Sequence, residues 1–274
     1  MPRILSISSQ VIRGHVGNAA AIPALQALGH EIWPAPTVIL SNHPAHGSTA
    51  GTTIEAPVLD AMLAKLSEFG WNRELAAIST GYFRTPDQVE VAARHIAATR
   101  AANPGLHVLI DPVIGDDPKG LYVPEPVAEA IRTHLLPLAD TITPNRFELS
   151  WLSGRDVSDL QAAREAARSL GSAETIVTSF PLDPGMISNL LITPDRAISV
   201  DVKRREGVPN GTGDLLMSLV LGHLLHGHSL EESLGRAVAG VDLILDRTGS
   251  RDEIDLSGGL GELATVAPIA LTPR

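Results

Sequence analysis

Short apolar runs alternate with segments of helical period along most of this chain, and no other feature restricts its fold as much. "RILSIS" (3–8), "LAAIST" (75–80), "HVLIDPV" (107–113), "ADTITPN" (139–145) and "ETIVTS" (174–179) read as strands, and "HEIWPAPTVIL" (30–40) as extended chain restricted by its prolines. "GNAAAIPALQALG" (17–29) reads as a helix stopped by Gly29. A second helix, "APVLDAMLAKLSEFG" (56–70), places Val58, Met62, Leu63 and Leu66 on one face. "TPDQVEVAARHIAATRAA" (85–102) is a helix with Thr85 as N-cap and Pro86 in its first position, and helices are also predicted at 125–137 and 157–171. "SNLLIT" (188–193) and "AISVDV" (197–202) form a hairpin pair. After the helix behind Gly213, "SLEESLGRAVAGVDLIL" (229–245) carries Leu230, Leu234, Val238, Val241 and Leu245 on one stripe. Strands separated by helices imply an α/β fold with a central, mostly parallel sheet and helices on both faces. No linker, repeat or low-complexity segment divides the 274 residues, so one domain over 1–274 is expected, with a tail of doubtful order at 257–274.

Charge and composition exclude several partners. The formal net charge is −10, and the basic residues cluster only at Lys203, Arg204 and Arg205, so neither a polynucleotide nor an anionic membrane surface is the expected partner. With no cysteine there are no disulfides, thiolate metal sites or cysteine nucleophiles. "MPRILSISSQ" does not read as a signal peptide, and the longest apolar stretch, from Leu215 to Leu225, is too short to span a bilayer and is interrupted by Ser218, Gly222 and His223. A soluble, cytoplasmic protein is expected.

"NGTGD" (210–214) stands directly before a helix of about fourteen residues that is apolar on all sides. The first amides of a helix lack internal partners and its N-terminal end is positive, so they form an anion site. Glycines let a ligand approach the backbone closely. A carboxylate beside an anion is unfavourable unless it removes a proton from a group next to that anion. Asp214 is therefore a candidate general base, and the Gly211, Thr212 and Gly213 amides are candidates for stabilising a transferring phosphoryl group. An aspartate in a first helical turn is also favourable without any chemistry. No Walker-type Gly-x-x-x-x-Gly-Lys-Ser/Thr occurs, and no Gly-x-Gly-x-x-Gly follows the first strand, so a nucleotide would be held another way.

Two further motifs end strands. "IDPVIGDD" (110–117) supplies Asp111, Asp116 and Asp117, and "TPNRFE" (143–148) supplies Thr143, Asn145 and Glu148. The carboxyl ends of parallel strands are where α/β sheets bind ligands. Asp116 with Glu148 suits a hydrated Mg²⁺, which takes few carboxylates plus waters and phosphate oxygens. Asp-Pro and Thr-Pro-Asn are also ordinary turn formers.

Taken together, "ILSISSQVIRGHVGN", "ILSNHPAHG", "STGY", "DPVIGDDPKGLYVP", "LPLADTITPNRFELSWLSG", "IVTS" and "NGTGD" resemble the pyridoxal kinases of the ribokinase-like superfamily, in the same order. The resemblance runs from Ile4 through the helix after Asp214. It implies a ribokinase-like three-layer sandwich and ATP-dependent phosphorylation of the 5′-hydroxyl of pyridoxal, pyridoxine or pyridoxamine. By resemblance Asp214 is the base, and Gly211, Thr212 and Gly213 form the anion hole. Ser9 contacts the pyridine ring and Tyr82 lines the vitamin pocket. Asp111, Asp116, Thr143, Asn145 and Glu148 belong to the nucleotide and metal region, and Thr178 and Ser179 contact phosphate and nucleotide. Mg²⁺ near Asp116 and Glu148, K⁺ near Asp111, Thr143 and Thr178, and a homodimer are also implied. The segment at 41–53 would be a substrate-side loop, and Lys203 with its basic neighbours would close over the ATP phosphates.

This chain departs from the family pattern at several places. Pro44 and His46 replace a threonine and a tyrosine, His15 replaces a tyrosine, and Gln10 stands where histidine is common. Pro44 removes a hydroxyl that would meet the ring, while His43 and His46 become candidates for contacting ring or phosphate. Two alternatives stay open at this point. One is a hydroxymethylpyrimidine or sugar kinase of the same superfamily, and the other is a non-catalytic binder of pyridoxal phosphate.

Overall fold

In the computed structural model, which describes residues 1–171 and 174–274, the predicted alternation becomes one ten-stranded sheet between two helical layers. The strands are β1 (Arg3–Val11), β2 (Glu31–Leu40), β3 (Gly51–Thr53), β4 (Leu75–Thr80), β5 (His107–Ile110), β6 (Gly115–Asp116), β7 (Gly120–Leu121), β8 (Thr141–Ile142), β9 (Glu174–Phe180), β10 (Met186–Ile192), β11 (Ala197–Lys203) and β12 (Thr272–Pro273). The helices are α1 (Asn18–Ala27), α2 (Ala56–Glu68), α3 (Pro86–Ala102), α4 (Glu125–Ala130), α5 (Arg146–Ser153), α6 (Leu160–Ser169), α7 (Thr212–Leu225) and α8 (Leu230–Thr248). The sheet order is β12-β11-β10-β9-β8-β5-β4-β1-β2-β3, and β6 pairs with β7 in a separate hairpin. β2, β1, β4, β5, β8 and β9 run parallel, and the outer strands on both sides are antiparallel.

Helices α1, α7 and α8 cover one face through residues such as Leu25, Leu219 and Leu234, packed on Ile4 and Ile176. The other face carries α2, α3 and α4 through Leu59, Ile96 and Val127, and α5 and α6 through Leu149 and Ala163. α7 is buried from Leu215 to His223, which is why its sequence shows no polar side. Burying a leucine there contributes about 1.5–3 kcal/mol. Among the described residues no helix is long and apolar enough to cross a membrane.

Several local differences from the sequence reading have physical causes. On α2 the buried residues are Leu59 and Leu63, whereas Val58 and Met62 are 50% and 41% exposed. Val58 and Met62 therefore do not face inward, and the helix leans on the core through Leu59 and Leu63, with Leu66 partly buried beside them. β5 and β8 stop at Ile110 and Ile142, short of the predicted strands, because Pro112 and Pro144 cannot donate to the ladder. The last ladder bonds run from Asp111 N–H to the Thr80 carbonyl (3.0 Å) and from Thr143 N–H to the Ile110 carbonyl (3.1 Å). Both side chains consequently stand at the exit of the sheet. Pro34 and Pro36 remain within β2 because both missing donors fall on the side that β3 meets only at Val38–Leu40. α5 was not foreseen. It starts from a capping box in which Asn145 Oδ1 accepts from Glu148 N–H, and Glu148 Oε2 accepts from Asn145 N–H, both at 2.9 Å. The helix predicted at 125–137 is regular only to Ala130 and continues to Leu138 as irregular turns. In the tail, β12 pairs with β11, and Arg274 Nη2 donates to Asp201 at 2.7 Å.

Candidate active site

The chain leaves β1 toward β2 on one side, and the path to β4 lies on the other, so the strand order reverses between β1 and β4. A crevice outside the carboxyl ends of the strands is the expected ligand site at such a reversal. Ser8 and Ser9 lie toward the end of β1, Gly81 and Tyr82 directly follow β4, Asp111 directly follows β5, and Asp214 at the start of α7 approaches Gly81.

The two glycines of "GTGD" serve different purposes. Gly211 has φ 96°, and a Cβ on it would lie 1.8 Å from the His15 carbonyl oxygen. It is required by both conformation and crowding, and it seats the start of α7 on the turn that follows β1. A Cβ at Gly213 would meet nothing within 4 Å, so the backbone there faces open space. Asp214 sits in the first turn, where the Gly17 N–H donates to its carboxylate. Burial outweighs that bond and raises the Asp214 pKa to about 6. A carboxyl group tuned in this way is a competent base near neutral pH. Opposite it, a Cβ at Gly81 would lie 2.4 Å from Ser8 Oγ and 3.9 Å from Asp214 Oδ1. The bare backbone at Gly81 thus lets the exit of β4 approach Ser8 and the carboxylate closely. Ser8 Oγ at this approach is buried and without a hydrogen-bond partner.

Asp111 is buried, accepts from Thr143 Oγ1 at 3.1 Å, and is held well above the usual carboxylate range by burial and by the charges of Glu148 and Asp214. Glu148 is buried and also raised, mainly by burial. Its Oε1 accepts from the N–H groups of Ile114 (2.9 Å) and Gly115 (3.4 Å), and its Oε2 from Asn145. Asn145 Nδ2 in turn donates to the Gly115 carbonyl at 2.8 Å, and Asn145 bridges Thr178 on β9. Asp116 is exposed on the β6–β7 hairpin. The structure therefore brings Asp111, Thr143, Asn145, Glu148, Thr178 and Asp116 to one rim, with Asp214 within electrostatic reach. Among the described residues no group of three or more carboxylate or histidine side chains forms a metal cage. The chemistry of this donor set nevertheless fits a hydrated Mg²⁺, because buried like charges disfavour one another and a cation relieves them. Glu148 is saturated by backbone amides, so it contributes charge and second-sphere order more than a free oxygen.

The remaining predicted residues lie farther out. Ser9 packs under Gly17, where a Cβ would lie 2.3 Å from Ser9 Oγ. Tyr82 packs against the core below α2 and α3, and its carbonyl accepts from Thr37 Oγ1 at 2.7 Å. Ser179 is exposed with φ 53°, and its N–H donates to Asn189 Oδ1 at 3.2 Å. Lys203 ends β11 and is exposed. Arg205, by contrast, is committed to Asp242 and Asp246 on α8, so of the basic cluster it is not free for phosphates. His43 caps the single turn Pro44–His46 by accepting from Ala45 N–H at 3.1 Å, and burial lowers its pKa. Pro44 thus begins a turn whose cap is His43, while the His46 ring turns to Glu253 at 3.3 Å.

Sequence reasoning missed Ser8, Gly17, Gly81 and Tyr122. Tyr122 stands within electrostatic reach of Glu148, Asp111, Asp116 and Asp214, and burial together with those charges raises its pKa. "GLYVP" and "STGY" contain two of these residues, but nothing local in either shows that its chain ends at the carboxylates.

Comparison with known proteins adds independent findings. Residues 14–252 match the family described as phosphomethylpyrimidine kinase. The chain is 35% identical over 272 residues to the pyridoxine/pyridoxal/pyridoxamine kinase of Bordetella bronchiseptica, covering 97% of this chain and 94% of that protein. It is also 35% identical over 272 residues, with the same coverage, to the pyridoxal kinase PdxY of Rubrobacter xylanophilus. The solved pyridoxal kinase of Leishmania donovani in complex with ADP and pyridoxamine superposes with a TM-score of 0.93 at 31% identity, covering 100% of both chains.

Proposed function

This chain belongs to the pyridoxal kinases within the phosphomethylpyrimidine kinase family, has the ribokinase-like fold and is a kinase, and from that premise we propose that it transfers the γ-phosphoryl group of ATP to the 5′-hydroxyl of a vitamin B6 vitamer. The observation that supports this reading best is the setting of Asp214. It is a carboxyl group raised to about 6, closely approached by the bare backbone of Gly81, and at the amide-rich start of α7, where Gly213 faces open space.

In the proposed reaction the vitamer's hydroxymethyl group reaches Asp214 where the Gly213 backbone faces open space. Asp214 accepts the hydroxyl proton as the oxygen attacks the γ-phosphorus. The bond from that phosphorus to the β–γ bridging oxygen breaks, and ADP leaves with its electron pair. The amides of Gly211, Thr212 and Gly213 hold the charge on the transferring group. Ser9 and Tyr82 hold the pyridine ring, and His43 and the turn that carries His46 border its outer edge. Asn145, Thr178, Ser179 and Lys203 flank the nucleotide. Asp116 would hold Mg²⁺ directly and Glu148 through its charge and an intervening water, and Asp111, Thr143 and Thr178 would hold K⁺. When bound, these cations offset the negative charge of the phosphates.

The test is formation of pyridoxal 5′-phosphate by the purified protein with ATP, Mg²⁺ and K⁺, followed by near-ultraviolet absorbance. Turnover with pyridoxal, in competition against hydroxymethylpyrimidine, is the expected result. Preference for the pyrimidine would move the substrate to that branch, and Pro44 is the first residue to exchange for threonine. No turnover with either substrate would overturn the kinase assignment.

A further inference from the structure

Glu253 follows α8 in sequence, and it touches both segments that border the vitamer side of the crevice. Its Oε1 lies 3.3 Å from His46 Nε2, on the turn after β2, and 3.4 Å from Arg13 Nη1, on the turn after β1. Its Oε2 accepts from the His15 N–H at 3.4 Å. A Cβ at Gly14 would lie 2.6 Å from Glu253 Oε1, so the glycine is what lets the carboxylate reach the backbone. The Glu253 side chain is only 17% exposed, and the His46 ring 23%. One carboxylate that makes several long contacts instead of one short contact sits between its partners.

The turn it holds is not peripheral. The His15 carbonyl is the surface on which Gly211 rests, and the Gly17 N–H binds the Asp214 carboxylate. Glu253 therefore joins the start of α7, through the 14–17 turn, to the 41–50 segment, through His46. We propose that Glu253 is a positioning residue that sets the vitamer-side segment at a fixed distance from the catalytic base, with His46 as its contact on that segment. This inference rests on the reading of the crevice as a vitamin B6 kinase site. His46 accordingly acts through Glu253, and the replacement at this position substitutes an anchored ring for a side chain that would contact the ligand.

The test is steady-state kinetics with pyridoxal and ATP on the full chain, comparing wild type, Glu253→Gln, His46→Asn and the double variant. A displaced loop costs binding of the ring and not of the nucleotide. Each single variant should therefore raise the KM for pyridoxal about tenfold and leave the KM for ATP within about twofold. The double variant should cost no more than Glu253→Gln alone, because both remove the same link. An unchanged KM for pyridoxal in a folded Glu253→Gln variant would overturn the proposal. Additive losses in the double variant, or parallel rises in both KM values with a lowered melting temperature, would also overturn it, because they describe a structural staple. If Glu253→Gln does not fold, His46→Asn on the surface turn carries the same comparison. Wild-type turnover is read first: its absence defeats the kinase assignment, whereas its presence with an unmoved KM defeats only the positioning role.

Discussion

Two acidic clusters flank the glycine turn at 14–17, and they are built on opposite principles. On the sheet side Asp111 and Glu148 are buried and Asp214 is partly buried, and among the described residues no ion pair reaches any of them. Their pKa values are raised, by burial first. On the loop side Asp252 and Glu253 face Arg13 and His46, and the Asp252 carboxyl is held below its ordinary value by its bond to Arg13. The loop-side cluster shares a cationic partner within the protein, Arg13, and serves architecture. The sheet-side cluster leaves its charge for something absent from the chain to compensate, and such a cluster is the expected mark of a site for cations and reacting groups.

Substituting the base gives the largest effect and the sharpest test of that contrast. Asp214→Asn should lower kcat by about 10²–10⁴-fold, the usual contribution of general acid–base catalysis. It should also melt higher than wild type. A carboxyl group whose folded pKa is raised contributes stability that is complete below its unfolded pKa and lost as pH rises through the folded one, and the amide loses nothing in that way. In the wild type, kcat/KM should fall as pH drops below about 6, because the base must be ionised to act. A variant that keeps more than a tenth of wild-type turnover would remove Asp214 from the chemistry.

The link between the clusters can be broken at Gly211. A Cβ there would meet the His15 carbonyl at 1.8 Å with φ at 96°, so Gly211→Ala must displace the 14–17 turn or the start of α7. A loss of about 1–3 kcal/mol in stability is expected, with kcat falling more than tenfold. Calorimetry and turnover on the same preparation check both. A variant with wild-type kcat would mean that the turn and the helix are not mechanically joined.

Asp111→Asn probes the uncompensated charge directly. By the same sign argument, wild-type Asp111 destabilises the folded chain increasingly as pH rises from acid toward 8. The variant should therefore melt higher than wild type at pH 8 and almost together with it near pH 4. Taking the difference at each pH removes the opposing contribution of groups such as His223, whose burial lowers its pKa to about 4. Saturating ADP with Mg²⁺ and K⁺ should erase the gain, because the bound cations then supply the missing positive charge. An equal gain at both pH values would show that packing, and not charge, limits this position.

How much of this was legible in the sequence follows the same divide. The order of strands and helices, the buried α7 and the carboxylates at strand ends were readable, because period and position depend on local pattern. α5 was also readable in principle, since Asn145 and Glu148 spell a capping box, but "TPNRFE" looked like a strand end and its helix has only eight residues. The exposed Val58 and Met62 were misread because a short helix with apolar residues in two rows does not state which row faces the sheet. Glu253 was not legible. Its partners are His15 and His46, more than 200 positions earlier, and its value depends on a tertiary approach that Gly14 permits.

The smallest effect belongs to Arg13, and it separates charge from position within the loop-side cluster. Its side chain is 55% exposed and pairs with Asp252 at 2.7 Å. Exposed pairs contribute little and are screened by salt. Arg13→Gln should therefore melt within about 2 °C of wild type and raise the KM for pyridoxal less than about threefold, with both differences shrinking as salt is added. Glu253 would still accept from the His15 amide and still face His46, so the separation between the loop and the base would survive. An effect as large as that of Glu253→Gln would mean that net charge, and not placement of one carboxylate, organises this side of the crevice. The contrast between the clusters would then reduce to a difference in exposure.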